Sequence, residues 1–230
     1  MNTTDEVLTE LKKRSTAEAK ASQEYFGVTN VNSYGLRTPE MRKLAKQIGT
    51  NHELALKLWK TGIHEAKHVA IFIGDPKQVT EKLMEQWLKD FSAWDTVDNC
   101  CGTLFIKNPL AFEKAIEWTT RKKEFEKRAG FVIMAELAIH DKKSEDRKYE
   151  QFFPYLVAES HDERNFVKKA INWALRQIGK RNERLCKKAI AVAKKIQQKN
   201  DPASKWIAAD ALRELEKYQK EGRIRSIGTK

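Results

Sequence analysis

One helical pattern recurs in this chain at a spacing of roughly forty residues. Three segments combine a basic cluster with alanine: Lys127-Arg128-Ala129, Lys168-Lys169-Ala170 and Lys205-Trp206-Ile207-Ala208. Positions 129 and 170 are 41 residues apart, and positions 170 and 208 are 38 apart. Units of this length with two helices each are typical of HEAT-like repeats, which stack into a solenoid with a concave surface. The pattern predicts an all-α, HEAT-like helical-repeat solenoid with a concave surface; an irregular helical bundle is the alternative.

Apolar residues recur at helical spacing along the chain, and no run alternates as a half-buried strand does. We predict helices at about 4–20, 38–49, 51–60, 63–74, 77–89, 94–107, 109–120, 124–140, 144–158, 164–180, 183–198 and 202–219. No linker separates them. We therefore expect a single helical-repeat domain over 1–230, with an ordered core at about 4–219 and a mobile basic tail at about 220–230.

The charge balance favours a polyanionic partner. Lys and Arg number 44 against 32 Asp and Glu, which gives a formal net charge of +12. Nucleic acid is the first expectation and an anionic membrane the second, and no apolar run is long enough to span a bilayer. The cysteines are Cys100, Cys101 and Cys186, whose odd number and spacing indicate neither a disulfide framework nor a Cys-x-x-Cys metal site. A cytoplasmic protein fits, associated with the nucleoid in a prokaryote.

Trp94 and Asp98 are the most informative pair of residues. They stand four residues apart and share one face of a predicted helix. A carboxylate beside an aromatic surface, inside a basic protein, suits a cationic group on a polyanion. The alternative is that Trp94 belongs to the core and that Asp98 pairs with a neighbouring lysine.

The helix around Trp173 has an apolar face and a basic face. The apolar face comprises Val167, Ile171, Ala174 and Ile178, and the basic one Lys169, Trp173, Arg176 and Lys180. Basic side chains bind phosphates, and an aromatic residue between them packs on a sugar or base. A tryptophan lying beneath Lys and Arg stems is the alternative.

Arg128 lies in a predicted helix, 124–140, whose residues 129–139 are apolar apart from Glu136. A buried guanidinium needs partners. Glu136, Asp98 and the phosphates of a ligand are the candidates that the sequence offers.

His64, Glu65 and His68 match the His-Glu-x-x-His signature of zinc peptidases. Two histidines at this spacing could bind zinc, with Glu65 as the base. The extended form of the motif needs Gly and His where this chain has Ile71 and Gly74. Because Lys67 also suits a closed metal site poorly and no substrate-binding strand is predicted, we do not favour a peptidase.

Four segments in the same order resemble the AlkD-type DNA alkylation repair glycosylases, over about residues 5–216. They are Tyr34-Gly35-Leu36-Arg37-Thr38-Pro39-Glu40-Met41-Arg42, Trp94-Asp95-Thr96-Val97-Asp98, Lys127-Arg128-Ala129 and Phe166-Val167-Lys168-Lys169-Ala170-Ile171-Asn172-Trp173-Ala174-Leu175-Arg176. The resemblance implies a monofunctional enzyme that excises N3- or N7-alkylated purines from double-stranded DNA without a metal or cofactor, leaves an abasic site and does not flip the damaged base into a protein pocket. The resemblance also implies a concave DNA-binding groove, for which a monomer suffices.

The resemblance also implies roles for individual residues. Asp98 is the expected catalytic carboxylate, Trp94 and Trp173 pack beside the deoxyribose, and Arg128 lies near them. The expected DNA contacts are Tyr25, Arg37, Thr38, Arg42, Lys127, Lys169, Arg176 and Lys180. Ala93 departs from the pattern, since members often have two consecutive tryptophans here. A non-catalytic relative that recognises branched or damaged DNA, and a helical scaffold for an acidic protein, are the alternatives.

Overall fold

The computed structural model describes residues 1–29 and 31–227, and this part of the chain forms helices with no β-sheet. The α-helices are α1 (Thr4–Lys13), α2 (Ala17–Tyr25), α3 (Thr38–Ile48), α4 (His52–Lys60), α5 (His64–Ile73), α6 (Glu81–Lys89), α7 (Trp94–Thr103), α8 (Ala111–Glu117), α9 (Glu124–His140), α10 (Asp146–Glu150), α11 (Phe153–Glu159), α12 (Asn165–Gly179), α13 (Glu183–Gln197) and α14 (Pro202–Lys220). Single 3₁₀ turns cover Pro76–Gln78, Phe105–Lys107 and Trp118–Thr120. The all-α prediction is confirmed. No described helix is long and apolar enough to cross a membrane.

Two predicted helices are each divided in the structure, so the prediction of unbroken helices at 4–20 and 144–158 is wrong. The first ends before Thr16, whose side chain caps α2 and whose N–H donates to the carbonyl of Gly35 at 2.9 Å. The second breaks near Pro154, which lies in the first turn of α11. Proline lacks the N–H that would continue the preceding helix.

The chain falls into two compact units, residues 1–108 and 109–230. In the first unit, α5 packs against α1, α3, α4 and α7 and is buried on nearly every side. In the second, α12 packs against α9, α13 and α14. The repeated alanines Ala129, Ala170 and Ala208 are all fully buried, as expected of equivalent core positions. That the two units form one domain stays a prediction.

The described part of the carboxyl-terminal tail is held against the end of α12. The N–H groups of Arg225 and Ile227 donate to the carbonyls of Lys180 and Arg181 at 3.1 and 2.9 Å. Asn182 donates in turn to the carbonyl of Ile227 at 2.7 Å. These hydrogen bonds connect residues 225–227 to the end of α12. That the tail is mobile stays a prediction, and residues 228–230 lie outside the described chain.

The carboxylate of Glu65 anchors the loop that precedes α3. Its side chain is fully buried and accepts the N–H groups of Tyr34, Gly35 and Leu36 at 2.9, 2.9 and 3.2 Å. The hydroxyl of Ser33 donates to the same carboxylate at 2.8 Å. Burial by itself raises the pKa of Glu65, but the hydrogen bonds from Tyr34, Gln23 and Ser33 outweigh it, so the pKa lies below its ordinary value. The ionised carboxylate thus fixes this loop.

Replacement of Glu65 by Gln is expected to destabilise the protein by about 2–4 kcal/mol, because an amide group would face several N–H donors that now bind an anion. Urea denaturation at neutral pH measures the loss. Glu53→Gln, at an exposed position of α4, is the matched control and should change the free energy of unfolding by no more than ~0.5 kcal/mol. Equal stability of the two variants would contradict the anchoring role.

The same carboxylate predicts a pH dependence. Because its folded pKa is depressed, its stabilisation is present above the unfolded pKa of about 4.3 and is lost as the pH falls through the folded pKa. Between neutral pH and this acidic range, wild-type stability should fall more steeply than that of Glu65→Gln, as measured by urea denaturation at each pH. Parallel curves would show that Glu65 titrates alike in both states.

Candidate nucleic-acid site

Trp94 and Asp98 lie one turn apart on α7, and both side chains are partly exposed. The indole Nε1 of Trp94 donates to the carbonyl of Phe26 at 2.9 Å, which fixes the ring against the end of α2. Ala93, where relatives often carry a second tryptophan, is fully buried. The departure from the family pattern therefore lies in the packing beneath α7, not on its exposed face.

Trp94 lines a pocket of about 200 Å³ within the first unit. Arg37 and Thr38, two predicted DNA contacts far away in sequence, line the same pocket. Phe26 and Asp95 lie there as well. The fold of this unit thus brings Trp94 together with part of the predicted DNA-contacting segment.

The segment from Tyr34 to Arg42 depends on one glycine. Gly35 has φ +87°, and a Cβ at this position would lie 2.6 Å from the carbonyl oxygen of Thr16. Only glycine accepts both the left-handed backbone and that approach. The turn at Gly35 leads into α3. Arg37, directly before this helix, and Arg42, within it, are both exposed.

Arg42 connects this segment to α7. Its Nη2 donates to Oδ1 of Asn99, the residue after Asp98, at 2.9 Å. Its guanidinium also stands 4.2 Å from the centre of the Phe72 ring. The positive charge of Arg42 is therefore held close to the helix that carries Asp98.

Tyr25 and Phe26 form an exposed aromatic pair at the end of α2. The side chains are 83% and 62% exposed, and the rings meet edge to face at 5.1 Å. Tyr25 is a predicted DNA contact, whereas Phe26 is not among the predicted contacts. No sequence pattern marks Phe26, because it lies beyond the last residue of α2 and outside any helical stripe.

Trp173, Lys169 and Arg128 lie in the second unit. Trp173 is half-buried and Lys169 is exposed on α12. Arg128 is only 5% exposed; its Nη1 donates to the carbonyl of Phe166 at 2.5 Å, and its guanidinium stands 6.0 Å from the Phe166 ring centre. Arg128 is thereby held at the beginning of α12, a contact that the sequence did not suggest.

Two lysines and one arginine that were predicted to bind phosphate form ion pairs with acidic side chains. Lys127 is 8% exposed and pairs with Asp162 at 2.9 Å and with Glu159. Arg176 and Lys180 both pair with Glu214 on α14. To bind DNA, each of these residues would have to exchange a carboxylate for a phosphate. Their role as DNA contacts stays a prediction. On the basic face of α12, Lys169 is the exposed lysine.

Burial and neighbouring groups shift the pKa of Lys180 and of Asp162. Burial lowers the pKa of Lys180 to about 8, and the nearby positive charges of Arg176 and Arg225 add to the effect. For Asp162, burial alone raises the pKa, but hydrogen bonds from Arg164 and Lys127 lower it to about 2. Asp162 is therefore a firmly ionised partner for Lys127.

One group of side chains in the described chain has the composition of a metal site: His64 and His68 on α5, with Asp95 on α7. Oδ2 of Asp95 lies 3.0 Å from Nε2 of His64 and 3.4 Å from Nε2 of His68. Burial raises the pKa of Asp95, but hydrogen bonds from both imidazoles outweigh it and keep the pKa far below its usual value. Burial lowers the pKa of His68.

Glu65 takes no part in this group as a peptidase base would. Its carboxylate is occupied by the N–H groups of the 34–36 loop. A zinc peptidase needs this glutamate beside the metal-bound water. The geometry therefore removes the base that the peptidase interpretation requires.

Asp162→Asn is expected to destabilise the protein at neutral pH by about 2–4 kcal/mol, because it leaves the buried Lys127 with less compensating charge. Since the folded pKa of Asp162 is about 2, its stabilisation is present above the unfolded pKa of about 3.9 and disappears as the pH falls through the folded value. The two proteins should thus converge in stability in strong acid, as measured by denaturant unfolding. The control is Glu163→Gln at the exposed neighbour; a comparable loss in that variant would refute the assignment.

Comparison with known proteins identifies the family. A sequence model described as "DNA alkylation repair enzyme" matches residues 7–215. No curated protein matches the chain. A solved structure reported as "a new family of proteins related to the HEAT-like repeat DNA glycosylases with affinity for branched DNA structures" is similar with a TM-score of 0.77 and 22% identity, over 96% of each chain. That similarity supports the HEAT-like fold, and the match over most of the sequence shows that the chain belongs to the DNA alkylation repair enzyme family.

Proposed function

We propose that this protein is a DNA N-glycosylase that hydrolyses the N-glycosidic bond of cationic N3- or N7-alkylated purines in duplex DNA. The observation that carries the proposal is the partly exposed Trp94–Asp98 pair on α7, in a chain whose family is one of DNA alkylation repair. Arg37 lines a pocket with Trp94, and Arg42 binds the residue next to Asp98. An acid beside an aromatic ring is thus accompanied by groups suited to phosphate.

The chemistry needs few groups because the substrate is already activated. Alkylation at N3 or N7 makes the purine a cation and a good leaving group. Cleavage of the bond to the sugar builds positive charge on the deoxyribose, which the carboxylate of Asp98 stabilises while orienting the attacking water. The face of Trp94, on the same helix as Asp98, favours the same cation.

The remaining residues are assigned to DNA binding. Tyr25, with its neighbour Phe26, offers an exposed aromatic surface for a sugar or base. Arg37, Thr38 and Arg42 supply contacts from the first unit, and Lys169 from the second. The roles of Arg128 and Trp173, in the second unit, stay predictions that rest on the resemblance. No metal or cofactor enters this reaction.

Asp98→Asn is expected to cut excision of 7-methylguanine from a duplex oligonucleotide by at least ~10²-fold, because it removes the electrostatic stabiliser of the sugar cation. Alkali-labile strand breaks measure the abasic product, and fluorescence anisotropy measures DNA affinity, which should be kept. Asp5→Asn, at an exposed position of α1, is the control. Excision by Asp98→Asn at the wild-type rate would remove Asp98 from the reaction.

Arg37→Gln is expected to weaken binding to duplex DNA of any sequence and to reduce the slope of log affinity against log salt by roughly one, as for one lost phosphate contact. Affinity is measured by anisotropy over a range of salt concentrations. Arg147→Gln, which removes an 80% exposed guanidinium on α10, should leave both values unchanged. Equal effects of the two variants would mean that net charge alone governs binding.

A second function is favoured by one observation: the similar solved structure is described as having affinity for branched DNA. In that case the protein would bind a four-way junction without excising bases. Wild-type protein incubated with 7-methylguanine duplex would then yield no alkali-labile breaks, while junction DNA would compete for binding far better than linear duplex of the same length.

A further inference from the structure

We propose that His64, His68 and Asp95 form a binding site for one divalent transition-metal ion of the zinc class. The three side chains come from α5 and the first turn of α7, and their ligand atoms all lie within 4.8 Å of one another. This inference is independent of the proposed glycosylase activity. It concerns a motif that the reaction does not use.

The distances fit a metal that replaces the shared protons. Bonds of about 2.0–2.1 Å in tetrahedral geometry place two ligand atoms about 3.3 Å apart. The two imidazole Nε2 atoms lie 3.0 and 3.4 Å from the same carboxylate oxygen of Asp95. An ion among these atoms would need only small side-chain rotations to be reached by all three.

The surroundings keep the ligands in place and leave one side open. His64 and His68 are 2% and 0% exposed, whereas the Asp95 side chain is 15% exposed. The ion can therefore enter beside Asp95, where water would complete its coordination. Two histidines and one carboxylate form a ligand set that zinc and other first-row transition metals bind readily.

Thr96 supplies part of the outer shell. Its hydroxyl lies 3.5 Å from Nδ1 of His64 and 3.3 Å from Nε2 of His68. Metal binding would displace it from Nε2 of His68 and leave it to accept the proton on Nδ1 of His64. Nδ1 of His68 is buried and has no hydrogen-bond partner in the described chain. With one outer partner for two histidines, this site is expected to bind more weakly than closed four-ligand zinc sites.

The ion would join α5 to α7, not perform hydrolysis. Glu65, the base of the peptidase motif, is committed to the 34–36 loop. Asp95 is the residue after Trp94, so a bound metal would fix the beginning of the helix that carries Trp94 and Asp98. Because the ion binds the folded protein, it should also raise the temperature of unfolding.

The test is a titration of the full-length, chelator-treated protein with Co²⁺, followed by visible d–d absorption and then by displacement with Zn²⁺. We expect one ion per chain in the wild type and at least ~10-fold weaker binding in His68→Gln. His161→Gln, at an exposed histidine of the second unit, is the matched control and should bind as the wild type does. Binding by His68→Gln as tight as that of the wild type would overturn the proposal.

A second measurement avoids reliance on variants that could fail to fold. In wild-type protein, Zn²⁺ should shift the imidazole NMR signals of two buried histidines while leaving those of exposed His140 and His161 in place. Zinc should also raise the wild-type unfolding temperature. Unmoved signals from the buried histidines would mean that the group is a metal-free hydrogen-bond cluster.

Discussion

The buried carboxylate of Glu65 is the interaction on which the candidate site in the first unit depends. It accepts the N–H groups of residues 34–36, in the largely buried loop before α3. The turn that this requires passes through Gly35 and leads directly to Arg37 and Thr38. Those two residues then meet Trp94 at one pocket. An anion inside the unit thus positions the loop that brings Arg37 and Thr38 to this pocket.

Adjacent residues of α5 therefore contact two different elements of the first unit. Glu65 faces the loop before α3, while His64 and His68 face Asp95 on α7. The residues match a peptidase signature by letter, yet the carboxylate and the imidazoles of that signature bind different neighbours. A motif of three residues fixes their spacing along a helix, but the elements that pack around the helix decide what they bind.

Positive charge on this chain is not the same as charge available to DNA. The sequence predicts DNA contacts at Lys127, Arg176 and Lys180, but each of these residues has a carboxylate partner. The carboxylates that pair with Arg176 and Lys180 lie on α14, at least 34 residues away in sequence, so no local pattern predicts these ion pairs. Arg37, Arg42 and Lys169 remain exposed, and the proposed DNA contacts therefore depend mainly on them.

The sequence by itself determined the helical class, most helix positions and the alignment of Trp94 with Asp98 on one face. These features follow from periodicity, capping residues and proline, which act over a few neighbouring residues. It also identified the family through segments whose order is kept along the chain. Only the tertiary structure decided the division at Thr16, the exposure of Phe26, the ion pairs of the basic stripe and the meeting of Asp95 with two histidines. Each of these depends on contacts between residues distant in sequence, because hydrogen bonds and burial are satisfied by whichever group the fold brings near.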